Sequence, residues 1–178
     1  MLGMIDHLDA SFGSLRLPDK VDEWERDRIP VSLSALDAHS ADTLRNLEIL
    51  AQSSLLSSAM RAKNYIWAML DDGSIRIAVE ELALTQPEAP HSGYPRRRGY
   101  SHPSEEKKLG HPTLLNAGAA RIAGELAFDE KPGEEGLRWV INANSGRYCR
   151  QDPPKREQID SVAARFLELG LTVFVDYD

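Results

Sequence analysis

The sequence contains a single cysteine, Cys149, in 178 residues, and an intramolecular disulfide is therefore excluded. It has no Cys and His pairs at the spacing of structural zinc sites. It also lacks an uninterrupted apolar run of about 18 residues, and its first residues lack both the basic and the apolar segment of a secretion signal. We expect no membrane partner and a cytoplasmic location, either in the producing cell or after delivery into a host or target cell by a route without such a signal.

Positive charge is scarce, with 21 Lys and Arg against 28 Asp and Glu and a net charge of -7. Because binding to polyphosphate depends mainly on Lys and Arg, general affinity for nucleic acid is disfavoured. The phosphate-binding loop, the dinucleotide glycine fingerprint, the His-Glu-x-x-His motif and the EF-hand loop are all missing. The common nucleotide and metal enzymes are thereby disfavoured, no metal site is predicted, and the identity of any cofactor stays open.

Apolar periodicity predicts helices and then a hairpin in the first half of the chain. Residues 1–30 are polar and broken by Gly and Pro, which predicts an N-terminal arm with one short helix. Between positions 33 and 59 Leu and Ala recur at steps of three and four, a pattern typical of helices. Residues 65–70 and 74–79 predict two strands joined by a tight Asp-Asp-Gly turn.

The second half predicts another hairpin, a helix and a last strand. Residues 119–128 and 137–142 have strand composition, and residues 154–169 have an apolar helical face. The apolar segment 171–175 predicts a strand in the centre of a sheet. The predicted fold class over 31–178 is a single α+β domain, with a mainly antiparallel sheet of two hairpins plus a C-terminal strand, packed by N-terminal helices and one C-terminal helix.

Residues 85–108 contain four prolines, which predicts a long loop. Three consecutive arginines at 96–98 stand between Tyr94 and Tyr100 in this loop. One interpretation is a solvated loop with no binding role. The other is a flap for phosphate or carboxylate in which Arg97 binds the ligand, because a guanidinium group matches both anions.

Two catalytic candidates lie in and beside the second predicted hairpin. His111 titrates near neutral pH, and because Pro112 follows it, we expect extended backbone there at the start of a strand. It is a candidate general base or hydrogen-bond donor; the alternative is a histidine that holds the loop through backbone hydrogen bonds. Glu125 has small neighbours that would let a ligand approach, and the alternative is an outward-facing strand carboxylate.

A polar corner follows at Ser145, Gly146, Arg147 and Tyr148. Gly146 permits a turn whose backbone amides, together with Ser145 and Arg147, would bind an anion. Tyr148 is the third catalytic candidate, and we expect it to share a pocket with His111. The alternative is a structural corner in which the Tyr148 ring packs and its hydroxyl forms a hydrogen bond. A Ser-His-Asp or Cys-His nucleophile is disfavoured, because the spacing matches no known signature.

Taken together, these segments resemble the C-terminal domain of plant IQ-motif calmodulin-binding (IQM) proteins and related bacterial domains of effector or toxin type. The resemblance covers 64–176 and is carried by Gly73-Ser74-Ile75, Lys107 to Leu114, Gly118-Ala119-Ala120, Ala123-Gly124-Glu125-Leu126 and Asn144 to Tyr148. It implies a binding role for Thr113, the small hydroxyl residue beside the motif's histidine. Calmodulin is not implied because the IQ motif is absent, and Arg147 stands where the family usually has histidine.

Two functional hypotheses follow. In the first, an effector or toxin-type domain binds a phosphate-bearing or nucleotide-like ligand in a polar pocket, with ADP-ribosyl chemistry by analogy. In the second, an acidic, non-enzymatic protein such as an immunity or regulatory partner binds a basic protein, and its N-terminal helices supply an apolar contact. Convergence of the polar residues on one pocket favours the first, and their dispersal over a flat acidic face favours the second.

Overall fold

A computed structural model describes residues 2–83, 93–131 and 133–177 and shows the predicted α+β fold. Its regular elements, in chain order, are α1 (Leu2–Phe12), β1 (Ser34–Ala35), α2 (Ala38–Leu50), α3 (Ser54–Arg61), β2 (Asn64–Met69), β3 (Ile75–Val79), β4 (Glu81–Ala83), β5 (Gly93–Pro95), β6 (Lys107–Lys108), β7 (Ala123–Glu130), β8 (Leu137–Asn142), α4 (Arg156–Glu168) and β9 (Phe174–Val175). Short 3₁₀ helices occupy Glu23–Glu25 and His111–Leu115. None of the helices described is long and apolar enough to cross a membrane.

The main sheet has six strands in the order β1-β3-β2-β7-β8-β9. Both predicted hairpins are confirmed: β2 pairs with β3 and β7 with β8, and β2 also pairs antiparallel with β7. Strand β9 joins β8 in parallel through the helical crossover α4. Gly124 lets β7 approach β8 closely, since a Cβ atom there would lie 1.9 Å from the carbonyl oxygen of Asn142.

The core lies on the face of the sheet that carries Trp67, Leu126 and Ile141, all completely buried; Leu126 pairs with Ile141, and Trp67 pairs with Gly124 on the same face. The neighbouring Trp139 is also buried, and its indole N–H donates to the carbonyl oxygen of Leu44 in α2 at 3.2 Å. Helix α4 adds three buried apolar residues to the same cluster, namely Ile159, Val162 and Phe166. The two hairpins and the helices thus share one core.

Residues 2–30, predicted as a polar arm, pack against the rest of the chain. Helix α1 packs on α4, and Phe12 is buried in the core. Arg16 forms a two-way backbone bridge with Ala120, and Glu25 is completely buried. The arm interpretation missed this packing because much of it consists of hydrogen bonds and ion pairs, which leave no apolar periodicity in the sequence.

Segment 85–108 contains regular structure where a loop was predicted. Strands β5 and β6 flank β4 in a three-stranded antiparallel sheet, with Leu82 opposite both Tyr94 and Lys108. These strands are only two or three residues long, and Pro95 sits on the outer strand β5, where a missing N–H is tolerated. Residues 85–92 of the predicted loop lie outside the described part of the chain.

Two local predictions are wrong. Strand β9 is an edge strand and not central, so its apolar composition reflects one covered face only. Val175 pairs with the buried Ile141 and packs on the core, whereas Phe174 pairs with Val140 and is only half-buried. His111 begins a 3₁₀ helix and not a strand, because the fixed φ of Pro112 also suits the first turn of a helix.

Candidate functional site

A pocket of about 460 Å³ opens where the segment around Trp24, the region of β6 and the start of β7 meet. Four of the predicted site residues line it: His111, Glu125, Gly146 and Arg147. The other polar or aromatic side chains in its lining belong to Trp24, Glu25, His102, Ser104, Glu106, Lys107, Lys108 and Asn144. We call this cavity the His111 pocket.

His111 is held as a neutral imidazole in the wall of the pocket. Its Nε2 lies 2.8 Å from the carbonyl oxygen of Gly124, so we assign the proton to Nε2 and an acceptor lone pair to Nδ1. Burial disfavours the charged ring and lowers the pKa of His111 from 6.5 to about 4. At neutral pH the side chain therefore acts as an oriented hydrogen-bonding group and carries no charge.

The low pKa of His111 predicts a specific dependence of stability on pH. Between pH 6.5 and about 4 the imidazole of His111 is protonated in the unfolded chain and stays neutral in the folded chain. The stabilising contribution of neutral His111 is complete above pH 6.5 and is lost as pH falls, by up to about 1.4 kcal/mol per pH unit. We expect urea denaturation at pH 7, 6 and 5 to show this slope in the parent and a shallower slope in His111→Gln. His39→Gln, an exposed control on α2, should keep the parental slope, and parallel profiles for all three would contradict the prediction.

Glu125 faces the same pocket from β7. Desolvation raises the pKa of its carboxyl group, and the nearby carboxylate of Glu80 raises it further, while Lys108 and a hydrogen bond with Asn64 act in the opposite direction. The backbone N–H of Glu125 donates to Oδ1 of Asn142 at 3.1 Å, which fixes the backbone at this point. A carboxyl group with a raised pKa in the pocket that also holds a neutral imidazole is a group suited to proton transfer.

Arg147 is committed to an internal ion-pair network. Its Nη2 lies 2.5 Å from Oδ2 of Asp22 and 3.2 Å from Oε2 of the completely buried Glu25. Glu25 also accepts a hydrogen bond from the backbone N–H of Gly110 at 3.1 Å, one residue before His111. Hydrogen bonds from Lys20 and Arg147 lower the pKa of Asp22. Arg147 therefore links the segment around Asp22 and Glu25 to the pocket wall through ion pairs, and its charge is already paired within the protein.

Tyr148 and Ser145 do not line the His111 pocket. The Tyr148 ring is buried and its hydroxyl donates to the carbonyl oxygen of Gly118 at 2.7 Å, which is the structural-corner alternative. Burial raises the pKa of this phenol well above its usual range. Ser145 Oγ accepts from the backbone N–H of Tyr148 at 3.3 Å and lines an adjoining cavity.

Thr113 and Arg97 also lie away from this pocket. Thr113 is buried in the 3₁₀ helix, where its hydroxyl donates to the carbonyl oxygen of Gly110 at 2.7 Å. The Arg97 guanidinium lies 3.9 Å from the centre of the Tyr100 ring, and Arg97 lines a different surface depression beside α3. Thr113 thus shapes the backbone before His111, while Arg97 is remote from it.

Several lining residues escaped the sequence analysis. Trp24 donates its indole N–H to the carbonyl oxygen of Lys108 at 3.3 Å, and Lys107 Nζ lies 5.4 Å from the centre of the indole ring. Behind them the buried carboxylate of Glu80 pairs with Lys108 and, at 2.6 Å, with Arg96. More than 80 residues separate Trp24 from Lys107 and Lys108 in the sequence, so no local spacing could have revealed their contact.

Comparison with known proteins found no relative: no protein-family model, no curated protein and no solved structure matches this chain. In the described segments no group of three or more His, Cys, Asp or Glu side chains could hold a metal ion. The chemistry of the site is therefore derived from its own geometry.

Proposed function

We propose that this protein binds a small phosphate-bearing or nucleotide-like ligand in the His111 pocket. The observation that carries the proposal is the convergence of three kinds of group on one cavity. These are the neutral His111, the protonatable Glu125, and the cation and aromatic pair of Lys107 and Trp24. Concave sites with a few convergent polar groups and shifted pKa values are the usual places for ligand binding.

The groups have distinct roles in this proposal. The ammonium group of Lys107 attracts a phosphate, and the indole of Trp24 offers a flat surface for a base. His111, which also lines the pocket, would offer the acceptor lone pair of its Nδ1 to the polar edge of the ligand. The volume of about 460 Å³ falls within the range of small-molecule sites.

The reaction that we propose is ADP-ribosyl transfer from a nicotinamide dinucleotide, by a cytoplasmic effector or toxin-type domain. The bond between nicotinamide and C1 of the ribose would break and release nicotinamide, while an O–H or N–H group of the acceptor, or water, forms the new bond to that carbon. Glu125, in its ionised form, would accept the proton of this nucleophile, and His111 would orient the ligand as an uncharged group. The context of effector or toxin comes from the resemblance over 64–176, and the single buried Cys149 fits a reducing cytoplasm. Nicotinamide release from NAD, measured with the parent and Glu125→Gln, tests the chemical step separately from binding.

Binding is tested by isothermal titration calorimetry with AMP, ADP-ribose, NAD and inorganic phosphate. We expect the parent to bind at least one nucleotide and Lys107→Gln to weaken that affinity about tenfold, because a phosphate contact is lost. Lys63→Gln removes the same charge outside the pocket and should have no effect. The proposal fails if no nucleotide binds to the parent, or if both variants weaken binding equally.

A second candidate function, as a binding partner of a basic protein, is favoured by one surface. Four apolar side chains at the junction of α2 and α3 are exposed, with Leu55 at 82% and Ile49 at 66%. Leu50 and Leu56 extend this patch, and the chain as a whole is acidic. If partner binding is the function, Leu55→Asp abolishes a reconstituted complex with a purified basic partner while Lys107→Gln leaves it intact. A complex that survives Leu55→Asp unchanged would contradict this second function.

A further inference from the structure

We propose that a dinucleotide ligand lies across two adjoining cavities, with one half in each. The inference rests on the proposed function of the His111 pocket. The second cavity, of about 640 Å³, is called here the Tyr177 pocket and is lined by Ile159, Pro154, Arg150, Arg156, Asp176 and Tyr177.

The two pockets share part of their walls. Glu125, Asn144 and Gly146 line both of them, so the segment after β8 forms the border between the cavities. Glu125 thus stands at the junction, where a ligand lying across the border would present its middle portion. Each cavity alone has the size of a complete small-molecule site, and together they exceed what a mononucleotide needs.

Gly146 contributes no side chain to the wall that the two pockets share. A Cβ atom at this position would meet no heavy atom within 4 Å, and the backbone does not adopt positive φ. The glycine is therefore not required by the turn or by close packing, in contrast to Gly124. The space that a side chain would occupy at this shared wall is open.

The Tyr177 pocket repeats the chemistry of the first. The Arg156 guanidinium lies 4.7 Å from the centre of the Tyr177 ring, as Lys107 lies near the ring of Trp24. Tyr177 is itself positioned by a hydrogen bond from its hydroxyl to Asp160 at 2.5 Å. Each pocket thus offers a cation beside an aromatic ring, the arrangement suited to a phosphate next to a flat ring.

The test compares AMP with NAD by calorimetry on the full chain. We expect NAD to bind the parent at least tenfold more tightly than AMP. Gly146→Leu adds a bulky side chain to the wall that the two pockets share, and Arg156→Ala removes the second cation. Each variant should weaken the affinity for NAD at least fivefold and leave the affinity for AMP within twofold of the parental value. Arg165→Ala on the same helix, outside both pockets, is the control.

Equal affinities for AMP and NAD in the parent would overturn the placement across both cavities, while the binding of a nucleotide in the His111 pocket stands. So would variants that leave NAD binding unchanged or weaken both ligands alike. Absence of binding by either ligand would overturn the proposed function as well. Melting curves verify that Gly146→Leu folds, and if it does not, the comparison of Arg156→Ala with Arg165→Ala decides the question alone.

Discussion

Arg147→Ala is expected to lower the free energy of unfolding by about 3 kcal/mol. The variant leaves the completely buried carboxylate of Glu25 without its guanidinium partner. The carboxylate keeps hydrogen bonds from the backbone N–H groups of Asp22 and Gly110, which carry no full positive charge. Removing one member of a buried ion pair typically costs about 3–5 kcal/mol, and the low end applies because Arg147 itself is about a fifth exposed. Urea denaturation at pH 7 gives the value directly, with an unchanged slope in denaturant as evidence for a two-state comparison.

Two further variants separate this ion pair from a general effect of losing arginine. Arg165→Ala breaks an exposed pair with Glu168 and should cost less than about 1 kcal/mol. The double variant Arg147→Ala with Glu25→Ala should be less destabilised than the sum of the two single changes, because no buried charge is left uncompensated. A loss in Arg147→Ala as small as that in Arg165→Ala would show that Glu25 finds solvent or another partner.

Phe166→Ala should destabilise the protein by about 3–5 kcal/mol, whereas the same change at Phe174 should cost about 1 kcal/mol or less. Phe166 in α4 is completely buried in the core, and truncation leaves a cavity that the surrounding side chains fill only in part. Phe174 lies on the edge strand β9, half-buried, with Lys131 Nζ 5.2 Å from its ring centre. For a chain of this length we expect melting temperatures roughly 10 °C below the parent for Phe166→Ala and within a few degrees for Phe174→Ala.

Calorimetry of both variants checks this pair of expectations under one set of conditions. Similar losses at the two positions would mean that β9 is packed as tightly as a central strand. A negligible loss at Phe166 would mean that α4 does not close the core, and the crossover from β8 to β9 would then need revision.

The sequence was sufficient to predict the elements that depend on interactions between residues close together in the chain. Residues 137–142 were predicted as a strand and form β8 with those bounds, because β-branched and aromatic residues end there at a polar corner. The Asp-Asp-Gly turn placed β2 against β3, since Gly73 adopts the positive φ that this turn requires. The apolar face of residues 154–169 likewise predicted α4 to within two residues of its bounds.

Composition did not show which strands are neighbours in the sheet. An apolar segment such as 171–175 has the same composition in a central strand and in an edge strand with one covered face. In the structure β9 pairs with β8 alone, which makes it an edge strand. His111 was similarly ambiguous, since a residue before proline is disfavoured from helix yet begins a 3₁₀ turn here.

The sequence by itself determined the hairpins, α4 and the α+β class, because the periodicity of apolar residues and the chemistry of turns act over a few residues. The tertiary structure alone decided the chemistry of the candidate site. Burial sets the charge of His111, and Arg147 finds its carboxylate partners more than 120 residues away in Asp22 and Glu25. Desolvation and ion pairing depend on what surrounds a group in space, and that environment exists only after the distant segments have packed together.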